Sequence, residues 1–164
     1  MRIRGIMTKN WKVIAISALC VLSLTAMVLA LSREPQKAEF TPPPFEPEAR
    51  VGIPEVPEGR GYQELDVQAF RVALCGELRI CDGAAEVWFT NPQNNPVWLK
   101  LRILDENGEV LGQTGILRPG EYVRQVALPE MKPDTPVTLK VMAYEPETYH
   151  SAGALVFHTH IAPE

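Results

Sequence analysis

The sequence predicts an all-β domain, an antiparallel immunoglobulin-like β-sandwich of about seven strands. One transmembrane helix and a proline-rich stalk precede it. Three observations carry this reading. Val13–Leu31 is an uncharged apolar run, residues 32–64 are rich in Pro and Glu, and alternation with period two dominates from Asp66 onward.

The expected organisation is a cytoplasmic N-terminus over 1–12, a transmembrane helix over 13–31, an extracytoplasmic linker over 32–64 and the sandwich over 65–164. The apolar run, at about 1.5 Å per residue, nearly spans a hydrocarbon core of about 30 Å. Arg2, Arg4, Lys9 and Lys12 precede it, which orients the N-terminus inward and the rest outward, and Trp11 sits where an interfacial aromatic belongs. A cleaved signal peptide is the competing reading. The run is longer than a usual signal core, and Ala30-Leu31-Ser32 is a weak cleavage pattern. Both readings put the C-terminal domain beyond the membrane, at the cell membrane of a single-pass protein.

The run TPPPFEPE favours polyproline II and cannot form helix or a central strand. It suits a semi-rigid stalk or a disordered linker equally. Val51, Ile53 and Val56 are candidates for an irregular first strand docked on the domain edge.

In the domain, Phe70, Val72, Leu74, Gly76, Leu78 and Ile80 fall on one face of a single strand. Asp82-Gly83 then predicts a type I′ hairpin. That turn sets Ile80 opposite Ala85, Leu78 opposite Val87, Gly76 opposite Phe89 and Arg79 opposite Glu86. On one continuous strand Cys75 and Cys81 stand roughly 20 Å apart, too far for a disulfide. A strand broken at Gly76 would let them meet. Val97–Leu104 and Glu109–Thr114 form a second hairpin around Asn107-Gly108. Arg118-Pro119-Gly120 signals a type II turn. Tyr122–Leu128, Val137–Tyr144 and Gly153–Ile161 complete the strands. The spacing suits a sandwich, with a small barrel as the alternative.

Several function classes are disfavoured. A net charge of −4, with no Lys/Arg run outside the first twelve residues, argues against nucleic acid. No phosphate loop, nucleophile elbow or zinc-protease motif occurs, and Asp66, Asp82, Asp105 and Asp134 sit at turns or strand ends. The chain therefore reads as non-enzymatic and without a cofactor. Trp88 and Trp98 fall on the parity opposite to the core residues, beside Lys100 and Arg102. These four are the candidate binding residues, for a protein or a cell-wall glycan. The competing view is that Trp88 packs over Glu77 and neighbouring stems, and that Trp98 covers a sandwich edge or the returning stalk. His158 and His160 share one side of the last strand, and with His150, Glu145 or Glu147 they are the candidate metal ligands.

The run FTNPQNNPVWLKLRILDENGEVLGQTGILRPGEYV, followed by KVMAYEPETYHSAGAL, resembles a group of small surface proteins of Gram-positive, clostridial-type bacteria. Such proteins are often carried on mobile or conjugative elements. The shared features are Asn91-Pro92, Asn95, Gly108, Gly115, Pro119-Gly120, Tyr144 and Ala152-Gly153-Ala154. The resemblance implies an N-terminal anchor, a stalk and one β-sandwich, located in the envelope, with a role beside conjugation or surface assembly. It implies no activity. The leading expectation is thus a membrane-tethered module that contacts another envelope protein. Glycan binding through Trp88 and Trp98, and metal capture by His158 and His160, are the alternatives.

Overall fold

The computed structural model describes residues 4–31 and 40–163. Arg2 and the stalk residues 32–39 lie outside them. The chain divides into two compact units, one up to Thr41 and one from Pro42 onward. The first unit holds α1 (Arg4–Leu31), which begins well before the apolar run. Among the described residues no helix is long and apolar enough to cross a membrane.

The second unit holds ten strands in two antiparallel sheets, more than the seven expected. They are β1 (Arg50–Val51), β2 (Tyr62–Val67), β3 (Phe70–Cys75), β4 (Arg79–Cys81), β5 (Ala84–Thr90), β6 (Trp98–Leu104), β7 (Val110–Gln113), β8 (Glu121–Ala127), β9 (Pro136–Tyr144) and β10 (Ser151–His160). Sheet I runs β1-β8-β5-β3-β2, with β4 also paired to β5; sheet II runs β10-β9-β6-β7. Alternate residues of each sheet meet in one core. Val72, Leu74, Val87 and Phe89 come from sheet I, and Leu99, Leu101, Leu139 and Val141 from sheet II.

The turn chemistry forms as the residues dictate. Asp82 and Gly83 both take positive φ (52° and 75°) between the paired Cys81 and Ala84, and Ile80–Ala85 and Arg79–Glu86 are in the expected register. Gly120 has φ 81°, and Glu121 N–H donates to Arg118 C=O at 3.1 Å, closing the type II turn. At the second hairpin Gly108 alone takes positive φ; Asp105 organises the loop, its Oδ1 accepting from the N–H of Asn107 and Glu109.

Three expectations are corrected. The strand expected to run unbroken from Phe70 to Cys81 breaks at residues 76–78. Ala73 pairs with Thr90, two residues out of step with the Ile80–Ala85 pairing, so Gly76–Phe89 and Leu78–Val87 do not form. Those two residues are taken up where the chain leaves sheet I: Gly76 N–H donates to Gly61 C=O, and fully buried Leu78 bridges Ile161 of the other layer. Cys75 and Cys81 are nonetheless both free thiols, Cys75 buried and Cys81 exposed.

The second correction concerns the expected linker, whose residues 42–64 belong to the compact unit. They supply β1 and the first half of β2, and Phe45 bridges Ile116. Prolines leave the backbone of 42–47 unable to build a central strand, but single bridges need no regular ladder. Arg50 and Val51 do pair with β8, yet the Val51 and Ile53 side chains are 85% and 93% exposed rather than docked. The third correction, on the tryptophans, belongs to the site.

Candidate functional site: two outer faces and a cleft

Trp88 and Trp98 do not share a surface. Trp88 is on β5 of sheet I and Trp98 on β6 of sheet II, and packed sheets stand about 10 Å apart with outer faces pointing opposite ways. Residue parity within two strands cannot reveal that the chain crosses between layers at Asn91–Val97.

Trp88 is also covered, at 7% exposure. Between the Glu86–Gln125 and Phe89–Val123 pairs, Val87 and Trp88 stand opposite the single residue Arg124. This is a β-bulge, and Trp88 takes φ 45° in it. Its ring stacks on Tyr122 at 6.4 Å, with the Arg124 guanidinium 5.2 Å from its centroid. Beside it Glu86 is 3% exposed. Its Oε1 accepts from Arg124 Nη2 at 2.6 Å and Nε at 3.2 Å. Its Oε2 lies 2.9 Å from Arg60 Nη2, a close ion pair outside hydrogen-bond angles. The expected partner Arg79 is in register with Glu86 but does not take its carboxylate.

Trp98 lies at one end of the outer face of sheet II. Phe45 and Tyr149 pack edgewise against it at 5.0 and 5.3 Å, and Arg118 caps Phe45 at 3.6 Å. Trp98 therefore covers the returning proline segment. Along the same face run Lys100 and Arg102, then Lys140 opposite Arg102 on β9, and Val156 and His158 on β10. The four strands of sheet II contain Lys100, Arg102 and Lys140 and no Asp or Glu, although the chain as a whole is acidic. Lys100 is 6% exposed; burial, and then Arg102, lower its pKa. Runs of basic residues were the wrong signal here, because a sheet gathers charges from strands distant in sequence.

His158 and His160 are exposed on this face, and His158 Nδ1 shares a hydrogen bond with Thr138 Oγ1 at 2.9 Å. His150 is at the other end of β10, eight residues or roughly 25 Å along the strand, beside Glu145. It cannot complete a site with them. Among the described residues no group of three or more His, Cys, Asp or Glu could hold a metal.

A cleft of about 440 Å³ on sheet I was not foreseen. Its floor includes Thr90, which accepts a hydrogen bond from Tyr62 Oη at 3.0 Å, and its wall the Arg71–Glu64 ion pair at 3.2 Å. The exposed Val51 and Ile53 form its apolar lip. Asn91 and Asn95 hold the adjoining loop. Asn91 Nδ2 donates to the carbonyls of Val97 and Leu117, and Asn95 takes both backbone groups of Arg71 and donates to Asn91 Oδ1 at 2.7 Å. The sequence signals these two asparagines only as turn formers; their side chains tie the two sheets together.

No protein family, curated protein or solved structure matches this chain.

Proposed function

We propose that the chain is a non-enzymatic, membrane-tethered module, working beyond the bilayer, that contacts protein in the cell envelope through an open edge of an immunoglobulin-like β-sandwich. The uncharged run Val13–Leu31 with its basic N-terminal flank supports the tether and its orientation. The single observation that carries the contact is β10. It is ten residues long, at the end of sheet II, and contains no Lys, Asp, Glu or Pro; its one register shift is at its start, between Ser151 and Gly153, and Gly153–His160 pairs without interruption. Folded domains ordinarily blunt such an edge with charge, proline, bulges or shortness. An edge left unblunted is the template for adding a strand. A role accessory to conjugation or surface assembly fits this reading.

The test is a photoreactive residue at Val156 of the full chain in its native membrane, with a second at Lys132 as control. Specific products from Val156 and none from Lys132 are expected. Saturable binding of purified peptidoglycan that Trp98→Ala abolishes, with no Val156 product, would replace this reading by the glycan alternative. A cytosol-only reporter active at the C-terminus would refute the topology.

A further inference from the structure

We infer that the chain forms a two-fold dimer in which β2 of each copy adds to β10 of the other; the inference rests on the edge-contact reading above. Among the described residues five strands pair on one side only, namely β1, β2, β4, β7 and β10. Three of them, β1 with two residues, β4 with three and β7 with four, are too short to be strong templates. That leaves β2 and β10.

Their side chains are complementary. β2 alternates Glu64 and Asp66 on its outer side with Leu65 and Val67 packed toward the core. β10 alternates Val156 and His158, with Lys140 behind them on β9, against Leu155 and Phe157 packed toward the core. Setting β2 beside β10 of another copy aligns apolar with apolar and places carboxylates by the cationic face of sheet II. Pairing β10 with β10 instead would join two cationic faces. Pairing β2 with β2 would set Glu64 and Asp66 against their own copies.

The layers are offset in the way this needs. β10 lies against β3, not β2: Gly153 approaches the Phe70 ring, Thr159 Oγ1 donates to Gly76 C=O at 2.7 Å, and Ile161 bridges Leu78. Sheet I therefore overhangs sheet II by one strand, β2. A two-fold axis along the strands places each overhanging β2 in the notch beside the other copy's β10. Leu65 and Val67 of the two copies then close over one another. β2 runs antiparallel to β3; Phe70 lies by Gly153 and Gly76 by Thr159, so β3 and β10 ascend together and the added pair is antiparallel. The part of β10 not bridged to residues 76–78, Ser151–Phe157, has seven residues with a register shift between Ser151 and Gly153, against six residues in β2.

The experiment is sedimentation of the full chain in mild detergent across concentrations, with disulfide trapping in a Cys20→Ser, Cys81→Ser background. A concentration-dependent dimer is expected. Glu64→Lys with Asp66→Lys should weaken it by roughly tenfold or more, since like charges then face each other. Asp66→Cys mixed with a cysteine at Ala154, Val156 or His158 should give covalent dimers, and each variant alone should not. A monomer at every concentration, a dimer indifferent to the charge reversal, or trapping by Val156→Cys alone would overturn the inference. Should it fall while Val156 still cross-links a different envelope protein in the membrane, the proposed function stands without self-association.

Discussion

Gly115→Ala tests whether the proline segment is part of the domain. A Cβ at residue 115 would sit 2.5 Å from Glu46 N, 2.6 Å from Glu46 Cα and 2.7 Å from Phe45 C, all backbone atoms. The segment must move away. What it loses is two backbone hydrogen bonds, Ile116 N–H to Pro44 C=O and Glu46 N–H to Ile116 C=O, both 2.9 Å. It also loses the Gly115 N–H to Glu46 Oε2 bond at 2.6 Å and the seat of Phe45 between Trp98 and Arg118. The backbone bonds contribute about 1 kcal/mol each, the carboxylate bond about 2 and the ring contacts about 1. Freeing three residues returns about 1–1.5 kcal/mol apiece. The net cost is about 1 kcal/mol, a fall in Tm of about 3–5 °C. The sharper assay is local: a Glu-specific protease should cut after Glu48 several times faster in the variant, Glu46 being protected by Pro47, with Trp98 emission shifting red. Unchanged cleavage would refute the view that this segment is held by close backbone approach.

Other outcomes follow from the same structure. Asn91→Ala strands the Val97 carbonyl and takes one of its two donors from the Leu117 carbonyl, which keeps the Leu99 N–H; it should cost about 1–3 kcal/mol, seen as a Tm fall of about 5–10 °C. Burial pushes the Cys75 thiol up to about 11 from 9.0, so a thiol reagent at pH 8 should modify Cys81 and spare Cys75. Because that folded-state pKa is raised, the associated stability is intact below about pH 9 and is lost as pH climbs toward 11. Cys75→Ala should flatten the fall in denaturation midpoint over that window. Lys100→Met removes a buried cation that has no acidic partner among the described residues, and should raise the Tm by a few degrees or leave it unchanged. Trp88→Ala empties a covered site and should cost about 3–5 kcal/mol, so lost binding in that variant needs a folding control.

Local chemistry was legible wherever the signal was itself local. Asp82-Gly83 and Pro119-Gly120 demand particular φ values, and their turns form as read. Alternation over Val137–Tyr144 and Leu155–Ile161 likewise identifies core and solvent faces. What failed was extrapolation beyond one element. Parity carried through Gly76 assumed a continuous ladder, whereas Leu78 gains more by crossing to Ile161. The outward parity of Trp88 was correct, but nothing in the sequence announces that Tyr122 and Arg124, more than thirty residues later, cover it. Closeness in sequence groups the candidate binding residues Trp88, Trp98, Lys100 and Arg102 into one patch, and the layers separate the first from the other three. The Asn91–Asn95 network, the cleft and the acid–base contrast between β2 and sheet II depend on strand order, which a single sequence does not encode visibly.

The bridge between Phe45 and Ile116 decides how the domain would respond to being pulled. Tension arriving from the residues before Pro42 reaches the fold at the middle of the chain, between β7 and β8, and not at β2, the first long strand. Phe45 and Ile116 run parallel there, so their bonds would be sheared together instead of unzipping one at a time. Pulled from Pro42, the domain is thereby gripped at its waist, and β1 and β2 carry no load until that grip gives way.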